Sequence, residues 1–225
     1  MSPELLIAAE GYVMPQAAKD LLAEHPPLMI AGISSAGKDT IAREIVQKSN
    51  WRRVVSHTTR QPRKGERNGN NYWFVSDDEM LRLATKKALI DLKVVHHIKV
   101  YGTTIEAYRQ VLNTGHQPMM IVDIQGVDEI LKCLTSDYKP VFIIPPDYDT
   151  WLKRLRKQST VTSDEITRRL RSSKAEIQSV LRNGHYKLVV NRAVGLAVKE
   201  VISEPSDLSS QSTNRKIAQQ LLEAL

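Results

Sequence analysis

Gly32-Ile33-Ser34-Ser35-Ala36-Gly37-Lys38-Asp39-Thr40 fits the pattern G-x-x-x-x-G-K. The compact apolar run Leu28-Met29-Ile30-Ala31 precedes it and suits a buried parallel strand. Residues 40–48 come next and read as a helix. Strand, glycine turn and helix in that order make a phosphate-binding loop. Gly32 and Gly37 let the backbone curl so that the N–H groups of the loop, through Ser34, Ser35 and Ala36, converge on phosphate oxygens. The helix dipole adds positive potential at the same point, and Lys38 supplies a flexible charge for β- and γ-phosphates. The residue after such a lysine is usually Ser or Thr, whose hydroxyl touches Mg²⁺. Here it is Asp39, with Thr40 one step on to supply the hydroxyl. A carboxylate beside a triphosphate is tolerable where it faces the metal, its water shell or a cation.

Working outward, apolar runs alternate with helical stretches. Strands are expected at 52–56, 119–123, 141–144 and 187–190, and helices at 125–134, 148–157, 163–181 and 193–202. This alternation predicts a three-layer α/β fold of P-loop NTPase type, with a parallel sheet between helices. Met119-Met120-Ile121-Val122-Asp123 places a carboxylate at the end of a core strand, where it can hold Mg²⁺ waters or a substrate. Residues 1–27 read as an N-terminal extension with a helix at 16–23 ended by Pro26-Pro27. Residues 57–71 are rich in Gly, Pro and Arg and read as loop, and the Ser-rich 204–214 reads as a linker before a helix at 215–225. His96-His97 falls on an expected strand, so the two rings should face opposite sides.

The chain has 225 residues, room for one α/β domain with a small inserted lobe. A formal charge of +7 and a pI near 9.5 suit nucleic acid, an anionic membrane or a small phosphorylated ligand. Aromatics are only 5%, with no run alternating basic and aromatic residues, which argues against a nucleic-acid groove and for phosphate-sized ligands. No stretch approaches the length of a membrane span, and residues 1–10 lack a basic n-region, so no membrane role and a cytoplasmic compartment are expected. Cys133 is the single cysteine and reads as a core residue.

The second dense segment runs Ser56-His57-Thr58-Thr59-Arg60-Gln61-Pro62-Arg63-Lys64-Gly65-Glu66-Arg67-Asn68-Gly69-Asn70-Asn71-Tyr72. Two guanidinium forks and a tyrosine hydroxyl can surround a phosphate monoester. By charge alone, the segment reads as a solvated basic loop. Taken as a pattern, it closely resembles the GMP-binding segment of guanylate kinases. The resemblance continues through Tyr101-Gly102-Thr103, Asp123-Ile124-Gln125-Gly126, Pro145-Pro146, Lys153-Arg154-Leu155, Arg168-Arg169-Leu170 and Val189-Val190-Asn191, and covers about 28–203 in order and spacing.

The resemblance implies ATP-dependent phosphorylation of GMP, with Mg²⁺, and nucleotides as the only partners expected. It implies a core at 28–55 and 104–203, a GMP-binding lobe at 56–103, a lid at 157–163 and a tail at 204–225; lobe and lid closure would exclude water. Arg60, Arg63, Tyr72 and Tyr101 would grip the acceptor phosphate, with Glu66 bracing them. Ser56, Asp91, Thr103 and Asp123 would read the guanine edge. Lys38, Arg154 and Arg169 would stabilise the transferring group, Asn191 would lie near the adenine, and Asp39, Thr40 and Asp123 would attend the metal. Asp91 stands where the family has Glu, Gln158 where a lid arginine is expected, and Ile121 where an acid is usual. Asp39 also suits kinases of ribose bisphosphates or deoxynucleotides. A non-catalytic, phosphoprotein-binding module of the same fold would be expected to show a decayed phosphate loop.

Overall fold

The computed structural model describes residues 1–63, 65–95, 99–135, 138–157, 163–203 and 208–225. The chain forms two compact units. The first comprises Met1–Pro27, Asn50–Met120 and Asp128–Ser136, and the second Leu28–Ser49, Ile121–Val127 and Asp137–Leu225. The lid residue Gln158, with 159–162, and the His96-His97 pair lie outside the described residues.

In chain order the elements are α1 (Pro3–Glu10), α2 (Gln16–Glu24), β1 (Leu28–Gly32), α3 (Lys38–Lys48), β2 (Trp51–Arg53), β3 (His57–Thr58), β4 (Trp73–Phe74) and α4 (Asp77–Thr85). Next come β5 (Leu89–Val95), β6 (Lys99–Thr104), α5 (Ile105–Asn113), β7 (Gln117–Ile121) and α6 (Ile124–Leu131). The chain then runs through β8 (Val141–Ile144), α7 (Tyr148–Arg156), α8 (Ser163–Asn183), β9 (Lys187–Val190), α9 (Val194–Ile202) and α10 (Leu208–Glu223).

In the second unit β1, β8 and β9 pair in parallel, with Gly32 in register with Ile143 and Ile143 with Val189. Their apolar runs are buried on both faces, as parallel strands between helices require. Helices α3 and α9 pack together, while α8 and α10 pack together and α10 lies against β9. The α/β class read from the sequence is the class observed.

In the first unit β2 and β7 pair in parallel. A separate four-stranded sheet has the order β4-β3-β6-β5, with β6 antiparallel to both β3 and β5. Helix α1 packs on α4 and β5. It starts where Ser2 Oγ accepts the Leu5 N–H at 3.2 Å with Pro3 in the first turn, and it carries the wholly buried Leu5. Burying such a side chain is worth about 1.5–3 kcal/mol.

Four local expectations give way. The span 57–71, read as loop, begins with β3, because Thr58 finds Tyr101 of β6 far along the chain. Strand β2 is three residues long and stops short of Ser56. Strand β7 ends at Ile121, so Asp123 lies beyond it and caps α6 through Oδ1, which accepts the Gly126 N–H at 2.7 Å. Helix α10 begins at Leu208, inside the stretch read as linker. Its Gln211 and Asn214 are not solvated: Gln211 takes the Leu188 N–H at 2.9 Å and donates to the Leu188 carbonyl at 3.1 Å, where Asn214 also donates at 2.8 Å. The polar side chains thus satisfy β9 as a further strand would.

Candidate functional site

The second unit builds a cradle from β1, the turn after it, and the start of α3. Gly32 has φ +147 because β1 runs against β8 there; a Cβ would sit 2.3 Å from the Ile143 carbonyl oxygen. Gly37 has φ +102, and a Cβ would meet Asn191 Nδ2 at 2.3 Å. No other residue type fits either place without displacing its neighbours.

The loop's carbonyls are held by donors. Lys38 Nζ donates to the carbonyls of Gly32 and, at 3.1 Å, Ile33. Trp151 Nε1 donates to the Ser34 carbonyl at 2.7 Å. Asn191 Nδ2 donates to the Ala36 carbonyl at 2.7 Å, and Arg154 Nη2 to the Asn191 carbonyl at 3.1 Å. Carbonyls neutralised in this way no longer repel an anion placed in the turn. A pocket of about 460 Å³ opens there, lined by Ser35, Lys38, Asp39, Thr40, Arg154 and Asn191 among others. Asp39 and Thr40 are both exposed on it, and Asp123 is exposed at the start of α6.

Arg169 on α8 is buried and pairs with Glu165 one turn earlier, while its Nη1 reaches Ser34 Oγ at 3.3 Å. Burial pulls the Lys38 ammonium below its ordinary pKa, and the charges of Glu176 and Asp39 pull it back. Burial pushes the Glu176 carboxyl up to about 7, with Lys38 opposing and Asp123 adding. Burial thus favours the neutral form of that carboxyl. Sequence reasoning missed Glu176 and Trp151. Arg169, Ser173 and Glu176 recur at helical spacing on one face of α8, which was the available signal for the former. Trp151 gave none beyond needing an acceptor once buried.

The first unit gathers the acceptor-segment residues. Arg60 and Glu66 form a two-pronged ion pair at 2.7 and 2.9 Å. Arg60 Nε donates to the Tyr101 hydroxyl at 3.0 Å, and its guanidinium lies over the rings of Tyr72 and Phe74 at 5.3 and 5.5 Å. Glu66 also accepts the Arg63 N–H at 2.6 Å. The hydrogen bond between them raises the Arg60 pKa further and holds the Glu66 carboxyl below the usual range. Arg53, which the sequence reading passed over, also lies over the Tyr72 ring, at 5.4 Å. Beside this cluster Ser56 Oγ and Thr103 Oγ1 meet at 3.1 Å, and Asp91 Oδ1 accepts the Thr103 N–H at 2.8 Å. Ser56, Asp91 and Thr103, which the resemblance named together, are linked by these hydrogen bonds.

A glycine cradle with a lysine, set at the mouth of a parallel sheet, defines the second unit as a P-loop nucleotide-binding unit. The guanylate kinase family model matches residues 24–204. The guanylate kinase of Sus scrofa is 34% identical over 186 residues, which span 79% of this chain and 92% of that protein. That of Neisseria gonorrhoeae is 36% identical over 155 residues, covering 68% and 75%. The chain belongs to the guanylate kinase family. A solved structure of guanylate kinase from Anaplasma phagocytophilum shares its fold, with TM-score 0.55, 21% identity and coverage of 88% and 94%. No helix among the described residues is long and apolar enough to cross a membrane.

Proposed function

We propose that this guanylate kinase family member transfers the γ-phosphate of ATP to GMP, with the second unit holding ATP and the first holding GMP. One observation supports the reading: each unit has its own cationic cluster that could receive an oxyanion, Lys38 with the glycine cradle in one and Arg60 with Glu66, Tyr72 and Tyr101 in the other. A phosphate oxygen of GMP attacks the γ-phosphorus, the bond to the β,γ-bridging oxygen breaks, and ADP leaves with the electron pair. The acceptor is already an anionic nucleophile, so the protein has only to position and neutralise. Lys38, Arg154 and Arg169 supply the cations for the transferring group, and Arg63 joins Arg60 on the acceptor phosphate.

The guanine edge offers N1–H and 2-amino donors and an O6 acceptor. A carboxylate beside two hydroxyls, as at Asp91, Ser56 and Thr103 of the first unit, matches that pattern. Asn191 Oδ1 is buried with no hydrogen-bond partner among the described residues and can accept from a donor on the bound nucleotide. Mg²⁺ fits the donors on the pocket, the Thr40 hydroxyl and the Asp39 carboxylate, with Asp123 in the same unit. The described residues contain no group of three or more metal-ligating side chains, which suits an ion held by one or two carboxylates together with substrate phosphates. Bound there, the ion would neutralise charge on the β- and γ-oxygens.

The test is ADP release measured against a panel of acceptors. AMP lacks both guanine donors and would leave the Asp91 carboxylate without its partners on the base, so GMP is expected to exceed it in kcat/KM by at least about 10²-fold. A faster reaction with AMP, CMP or a ribose bisphosphate would overturn the acceptor assignment, and no ADP release with any of them would favour a binding module.

A further inference from the structure

Tyr12 lies ahead of the family match, which begins at residue 24. Its hydroxyl donates to the Leu89 carbonyl at 2.7 Å and accepts the Leu89 N–H at 3.2 Å. A single side chain thereby satisfies both backbone groups of one residue on β5, the end strand of the four-stranded sheet. Gln211 treats Leu188 of β9 in the same way, and it too lies outside the match.

The residues just after Leu89 give the contact its consequence. The β5–β6 ladder shifts register there: Leu89 faces Thr104 and Asp91 faces Thr103, so Ile90 is the extra residue of a bulge. A bulge re-aims the side chains beside it. Here the next side chain is Asp91, whose Oδ1 holds the Thr103 N–H. Tyr12 is itself fixed from several sides. Leu5 and Ala9 of α1 are buried with Leu89, Leu92 and Met80, and Tyr12 packs against that cluster. The Ser2 N–H and the terminal ammonium both reach Asp77 of α4, at 2.8 and 3.2 Å. Lys87 Nζ stands 5.0 Å over the Tyr12 ring.

We propose that Tyr12 is a positioning residue for guanine recognition: by clamping both backbone groups of Leu89 it fixes the bulge that aims Asp91. This rests on the assignment of Asp91 to the guanine edge. Full-length Tyr12→Phe and Asp91→Asn are each assayed with GMP, with IMP, which lacks the 2-amino group, and with varied ATP. Tyr12→Phe keeps the ring and removes only the hydroxyl. Losing one neutral hydrogen-bonding group is expected to raise KM for GMP about three- to tenfold and to lower the GMP-over-IMP ratio of kcat/KM by a similar factor, with KM for ATP and kcat unchanged. Wild-type values for GMP and for the ratio would overturn the proposal, and so would equal losses toward GMP and ATP, which a merely structural role produces. If Asp91→Asn collapses the ratio and Tyr12→Phe does not, the clamp alone is wrong. If Asp91→Asn leaves the ratio intact, the guanine assignment fails and the proposal with it. A measurement on the wild-type chain guards against a poorly folded variant: the Leu89 amide is expected to exchange with solvent at least about tenfold more slowly than an unbonded amide. Free exchange there would contradict the clamp.

Discussion

Replacing Lys38 by alanine is expected to lower kcat by about 10²- to 10³-fold, the usual cost of losing one preorganised charge partner in the transition state. The fold should survive. Lys38 opens α3, and its ammonium turns back onto the carbonyls of Gly32 and Ile33, so the variant loosens the cradle locally. Burial already pushes the Glu176 carboxyl up, and without the opposing lysine it can take up a proton instead of remaining a bare buried charge. The variant should therefore keep its circular dichroism spectrum and a cooperative melt while losing turnover. A kcat within about threefold of wild type would remove the glycine cradle from the mechanism.

Arg60→Ala should act on the other substrate. Loss of a charge-assisted hydrogen bond to the acceptor phosphate is worth about 1.5–3 kcal/mol, so KM for GMP should rise roughly tenfold to a hundredfold while KM for ATP holds. Arg60 is a rigid receptor because its edge is pinned by Glu66 and its face is covered by Tyr72 and Phe74. Lysine at this position would keep the charge but lose the fork, and should recover only part of the affinity. Equal rises in both KM values would show that the loop, and not a phosphate contact, had been lost.

The parts of the site that the sequence disclosed are those whose cause is local. Residues 28–48 hold a strand, a turn and a helix in succession, and the strict demands at Gly32 and Gly37 come from the turn itself. The Arg60–Glu66 pair spans six positions and was legible through its motif. Asp123 was named as a candidate and set at the end of a strand that stops at Ile121, because an apolar run does not mark where strand pairing stops. Distant partners left no trace. Trp151 meets Ser34 across 117 positions, and Tyr12 meets Leu89 across 77, in both cases through backbone atoms that no residue pattern advertises. The start of α10 was set too late for a related reason: Gln211 and Asn214 look like solvated linker until β9 is there to receive them.

Direct passage of phosphate from ATP to GMP is the step on which every assigned role depends. Wild-type protein with Mg²⁺, ATP labelled at the γ-phosphate, and GMP tests it most directly. Label is predicted to appear in GDP in step with ATP consumed, and inorganic phosphate should stay at background. Label released as inorganic phosphate while GMP remains unchanged would contradict direct transfer.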